Sequence, residues 1–122
     1  MENKYSLKTQ SNINQILCNL EVWKKKFSFE ISYYYEGWAI SLTEKNIYPR
    51  LIVIFSYYKE ENYFIKSFEI HYDEDQKEFY KELYESNNLD SIIDLIKEIN
   101  EIIYGKDLIN SISKKYNDMK NK

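Results

Sequence analysis

Residues 73–86 read DEDQKEFYKELYES, and whether they coil or extend decides the fold. Asp73 is a good helix N-cap, with Gln76 three residues later, so the stretch predicts a helix that begins at once and runs to about Ser86. On that helix Glu74, Asp75, Glu78, Glu82 and Glu85 fall within an arc of about 100°, while Phe79, Tyr80 and Leu83 point away toward a core. The expected product is an anionic ridge about 15 Å long. Glu78 with Lys81, and Lys81 with Glu85, are ordinary intrahelical pairs, which suits a solvated helix side. The same ridge suits docking into a basic groove by charge complementarity.

Working toward the N-terminus, the period is two. Tyr63–Tyr72 reads as a strand with Phe64, Phe68, Ile70 and Tyr72 on one face, reached through a turn at 59–62. Residues 51–58 are apolar on both parities. Leu51, Val53, Phe55 and Tyr57 can face one side and Ile52, Ile54 and Tyr58 the other, the pattern of a central strand covered twice. A longer connection over 44–49 precedes it. Trp38, Ile40 and Leu42 alternate with Ala39, Ser41 and Thr43, and Glu36-Gly37 supplies a tight turn after a first strand in which Phe27, Phe29, Ile31 and Tyr33 alternate with polar residues. Before Phe27 the period returns to helical: Ile13, Ile16, Leu17, Leu20 and Trp23 recur after a cap at Ser11 or Asn12, and the run closes on Lys24, Lys25 and Lys26. Residues 1–10 show no periodicity and predict a frayed arm.

Toward the C-terminus Asn87 and Asn88 break the pattern, and Asp90 or Asn88 caps a helix carrying Ile92, Ile93, Leu95, Ile96, Ile99, Ile102 and Ile103. Gly105 fits a left-handed stop. Asp107 can restart a last helix lined by Leu108, Ile109, Ile112, Tyr116 and Met119, before a frayed tail at 118–122. The expectation is one α+β domain over 1–122: an N-terminal helix, a four-stranded antiparallel sheet, and three C-terminal helices packed on it. A sheet that narrow seats two helices per face. Either helices also cover a second face over Ile52, Ile54 and Ile65, or that patch, with Tyr34, Tyr58 and Tyr63 around it, is an interaction surface.

Composition narrows the chemistry. The chain has 122 residues, a net charge of −3, 30% charged residues, and only two glycines and one proline, which suits one globular domain. Lysine supplies all the cations but Arg50, a bias expected of AT-rich codons that also inflates the 13 tyrosines. A single cysteine, Cys18, excludes an internal disulfide and suits the reducing cytosol. It sits within a predicted helix without an apposed histidine, as an inert, partly buried thiol. No segment resembles a targeting peptide or a membrane span. His71, the only histidine, lies near Glu69 and Asp73 but lacks further ligands for a metal, so no cofactor or metal is expected. Phosphate-binding glycine motifs are absent. Tyr57, Tyr63 or Phe68 could stack bases, but residues 51–85 carry four lysines against nine acidic residues, a field that repels a phosphate backbone, so direct nucleic-acid binding is not expected.

An N-terminal helix, an antiparallel sheet and then the acidic-aromatic segment Tyr72-Asp73-Glu74-Asp75-Gln76-Lys77-Glu78-Phe79-Tyr80 together resemble phage-encoded anti-CRISPR proteins that occupy the DNA-binding surface of a CRISPR nuclease. The resemblance implies stoichiometric inhibition without chemistry, in the host-cell cytoplasm. The expected function is thus a non-enzymatic inhibitor of a partner with a basic surface, with Glu74, Asp75, Glu78, Tyr80, Glu82, Tyr84 and Glu85 as contacts and Tyr34, Tyr58 and Tyr63 as a second candidate surface. An immunity or antitoxin protein that neutralises a toxin fits the same features, and a small enzyme with an unfamiliar site is a third class.

Overall fold

Five consecutive strands each pair antiparallel with their neighbours in the chain, in the spatial order β1-β2-β3-β4-β5. They are β1 (Phe27–Tyr33), β2 (Gly37–Glu44), β3 (Arg50–Tyr57), β4 (Tyr63–Tyr72) and β5 (Glu78–Leu89). Helix α1 (Leu7–Leu20), continued by a 3-10 turn at Glu21–Trp23, precedes the sheet, and α2 (Ile92–Ile103) follows it. The protein is seen here as a computed structural model, which describes residues 7–45, 49–59 and 62–106.

The α+β class and the antiparallel meander stand, but the count of elements is corrected. The helix expected over 73–86 is a turn followed by β5, which makes the sheet five-stranded. Among the described residues one helix follows the sheet, not three, and the helix expected from Asp107 onward lies outside them. Residues 7–10, expected to fray, form the first turn of α1. The α2 cap is neither Asp90 nor Asn88 but Ser91, whose Oγ accepts the Asp94 N–H at 3.1 Å. Gly105, at φ +109°, stops the helix in the left-handed region as expected.

Asp73 explains why its neighbourhood mimics a helix start. Its carboxylate accepts the backbone N–H groups of Asp75 and Lys77 at 2.9 and 2.8 Å, as a cap would. The chain then reverses instead of coiling: Gln76 N–H donates to the Asp73 carbonyl, Gln76 sits at φ 64°, and Asp73 N–H donates to the Lys77 carbonyl, closing the β4–β5 hairpin.

The core lies between one face of the sheet and the two helices. Ile40, Ile54 and Ile65 form a fully buried row across β2, β3 and β4. Ile13, Ile16 and Leu20 from α1, and Leu95, Ile99, Ile102 and Ile103 from α2, belong to the same cluster. Each such side chain contributes about 1.5–3 kcal/mol by leaving water. Trp23 Nε1 donates to Asn100 Oδ1 at 2.9 Å and joins the end of α1 to α2. The lone arginine is buried at the end of β3. Arg50 Nε donates to Glu44 Oε1 at 3.2 Å, and its two terminal nitrogens donate to the carbonyls of Ile102 and Ile103 at 2.8 and 3.1 Å. One guanidinium fork thus ties β2, β3 and the C-terminus of α2.

The parity of coverage is also corrected. Ile52, Ile54 and Ile65, read as a second face, lie under the helices. The face left open among the described residues carries Leu51, Val53, Phe55 and Tyr57, so β3 is covered once.

Candidate functional site

The open face is assembled by register. Moving outward from β3, Phe55 pairs with Phe64, Val53 with Lys66 and Leu51 with Phe68 on β4, and Ala39, Ser41 and Thr43 of β2 lie opposite Phe55, Val53 and Leu51. Residues directly opposite on antiparallel strands share a face. Three bands result. The β1–β2 side presents small polar groups and Glu30, the β3–β4 centre is apolar and aromatic, and the β5 border is acidic.

The aromatic band is a set of edge contacts. Phe55 and Tyr57 have ring centroids 4.8 Å apart at 83°, Tyr57 and Phe64 5.8 Å at 81°, and Phe68 and Tyr80 6.1 Å at 68°, while Tyr34 extends the band at 6.4 Å from Phe55. Such pairs hold the rings in place without stacking them flat. Between them lies a groove of about 540 Å³ lined by Val53, Phe55, Tyr57, Phe64, Lys66, Phe68, Glu85 and Asn87. A shallower depression of about 390 Å³ continues from Val53 and Phe55 toward Tyr34, Tyr35 and Glu36.

The acidic border depends on a defect in β5. Glu82 and Glu85, three residues apart, would point to opposite faces of a regular strand. The β4–β5 register shifts between the Ser67–Tyr84 and Phe68–Glu82 pairs, so Leu83 is the extra residue and Glu85 comes back to the side of Glu82. A second shift lies between the Leu89 and Ser86 pairs, where Asn88 adopts φ 61°. Glu78, Tyr80, Glu82 and Glu85 therefore share the open face. Lys66 Nζ stands 3.6 Å from a Glu82 oxygen, and Lys66 is directly opposite Glu85. Among the described strand positions of this face, Glu30, Glu78, Glu82 and Glu85 outnumber Lys66 by three charges. Tyr80 OH donates to Glu78, and that bond to a carboxylate, with some burial and the negative charge beside it, raises the phenol above its ordinary value.

The expected contact residues are thus partly brought together. Glu74 and Asp75 are exposed in the β4–β5 turn, at the end of the acidic border. Tyr84 is turned the other way, where its OH donates to Glu98 Oε2 of α2 at 2.8 Å. Burial, then that bond, raises its pKa. Of the second candidate surface only Tyr34 belongs to the open face. Tyr63 is buried against Trp38 with its phenol pushed up by burial, and Tyr58 is half-buried. The groove residues Val53, Phe55 and Phe64 are not among the contacts expected from sequence. The double-sided run at 51–58 held the signal, since a face with four alternating apolar residues needs a cover or a partner.

The other chemical candidates resolve into ordinary contacts. His71 Nε2 lies 2.8 Å from Glu69 Oε1, and its ring stacks on Phe79 at 5.4 Å. Cys18 is exposed on α1 rather than partly buried. Among the described residues, no three of His, Cys, Asp and Glu stand close enough to hold a metal, and no helix is long and apolar enough to cross a membrane. No family model, curated protein or solved structure matches the chain.

Proposed function

We propose that this protein is a non-enzymatic inhibitor that docks the open sheet face on a partner protein with a basic surface. The observation that carries the reading is the aromatic band of β3 and β4 bordered by the β5 carboxylates. Aromatic anchors supply affinity, and the carboxylates steer a basic partner and keep a phosphate backbone away. The contacts are Tyr34, Phe55, Tyr57, Phe64, Phe68, Tyr80, Glu78, Glu82 and Glu85. The partner class we favour is a defence nuclease of the CRISPR type, whose nucleic-acid channel is basic. The resemblance behind that class keeps its helix and antiparallel sheet, but its acidic-aromatic segment is a hairpin here, not a helix.

The test is capture from bacterial lysate with the wild-type chain, Phe64→Ser/Phe68→Ser and Glu78→Lys/Glu82→Lys, followed by assay of the captured protein. A nuclease retained by the wild type, lost by the first variant, bound more slowly by the second, and inhibited at equimolar protein supports the reading. A captured toxin assigns the protein to the immunity class. Equal capture by all three chains removes the open face as the interface.

A further inference from the structure

We propose that β1 is an interface at which two copies of this chain join edge to edge, antiparallel, with Ile31 opposite Ile31, into one continuous sheet. This goes beyond the inhibitor reading and stands whether or not a partner docks on the open face.

The first observation is which backbone groups the edge presents. Tyr34 N–H donates to the Gly37 carbonyl at 2.7 Å and Lys45 N–H to the Lys26 carbonyl at 2.9 Å, at the two ends of the β1–β2 ladder. Bonded pairs alternate along an antiparallel ladder, so Ser28, Glu30 and Ser32 turn their N–H and C=O groups to β2, while Phe27, Phe29 and Ile31 turn theirs outward. Among the described residues, none bonds to the outward groups of Phe29 or Ile31.

The second is that the two edges of the sheet are built differently. Along β5 there are two register shifts and the charges of Glu78, Lys81, Glu82 and Glu85, devices by which an edge turns a further strand away. Along β1 the pairing runs through seven residues without a shift, and the one charge is Glu30.

The third is that β1 complements itself in one register. A two-fold axis normal to the sheet centres the pairing on a residue, because residues directly opposite share a face. Centring on Phe29 needs the outward groups of Phe27, which is fully buried. Centring on Glu30 sets two carboxylates opposite each other. Centring on Ser32 leaves Phe29 without an opposite strand residue. Centring on Ile31 sets Glu30 opposite Ser32 on the open-face side, and Ile31 opposite Ile31 with Phe29 opposite Tyr33 on the helix side. There the half-buried Phe29 and Ile31, already packed on the core cluster, gain further cover. The axis keeps both open faces on the same side, with the two β3 strands five spacings, about 24 Å, apart.

Sedimentation equilibrium of the full chain tests the proposal. The wild type is expected to associate to twice the chain mass. Ser32→Glu sets a second carboxylate opposite Glu30 and is expected to return the mass to one chain. Adding Glu30→Lys makes those pairs opposite in sign in the Ile31-centred register, and is expected to restore a dimer that weakens as salt rises. A wild type that keeps the mass of one chain at every concentration overturns the proposal. So does a dimer that Ser32→Glu leaves intact, or one that Glu30→Lys fails to restore in chains whose thermal unfolding matches the wild type. Amide hydrogen exchange in the wild type gives a measurement independent of how the variants fold. The outward Ile31 N–H should exchange more slowly as protein concentration rises, and a rate that does not change with concentration overturns the proposal equally. The lysate capture above reads the open face and can fail without touching either result.

Discussion

Gly37 shows how a residue can be identified correctly for an incomplete reason. Its place after Glu36 reads as a turn glycine, and the hairpin does close there, with Tyr34 N–H donating to the Gly37 carbonyl at 2.7 Å. The deeper constraint is the neighbouring strand. A Cβ at residue 37 would run into the backbone carbonyl of Ser56, which cannot swing aside as a flexible side chain can. Gly37→Ala is therefore expected to destabilise the protein by about 1–3 kcal/mol, read as a lower urea midpoint with an unchanged slope. Arg50 teaches the complementary lesson. In the sequence it is one cation lost among lysines, because nothing local announces that Glu44, Ile102 and Ile103 converge on it.

Among the elements, β5 is where local pattern and structure part. On the helix side of the sheet it places Phe79 and Lys81, both exposed, and then Tyr84, Ser86 and Leu89, and the two extra residues stretch the alternation from steps of two to steps of two and three. That spacing lies between the strand and helix periods, and Asp73 adds a genuine capping geometry in front of it. Residues 73–86 thus carry real helical signals, and pairing with β4 decides the outcome against them. Strands β1, β2 and β4 are legible in the sequence from alternation and β3 as a run apolar on both parities, and the acidic character of the border is legible too, though not the face on which it lies. The hairpin offers its own test. Gln76 holds φ 64° without the amide side chain of asparagine close enough to ease it, so Gln76→Gly should stabilise the protein by about 1 kcal/mol, seen as a higher thermal midpoint. Asn88→Gly should gain less, since asparagine tolerates that region better.

Across the whole molecule, α2 is clasped to the sheet at its C-terminus by Arg50 and at mid-length by the bond of Tyr84 to Glu98, which Lys106 also reaches. The cluster gives a pH signature. Burial and the bond to Glu98 raise the Tyr84 phenol above its ordinary 10.0, and the bonds to Glu98 raise the Lys106 ammonium above its ordinary 10.5. Both groups hold protons more tightly when folded, so their contribution is complete below those values and is lost as pH rises through the folded ones. Denaturant midpoints should fall above about pH 10, and Tyr84→Phe should make that decline shallower. The order of the meander has a consequence for synthesis. Every strand can zip onto the one just made, at about 5–20 residues per second, yet Trp23 waits for Asn100, 77 residues later, before the apolar side of the sheet is roofed. A growing chain that stops short of α2 therefore presents wet isoleucine on one side and wet aromatic rings on the other, and is the form of this protein most in need of a chaperone.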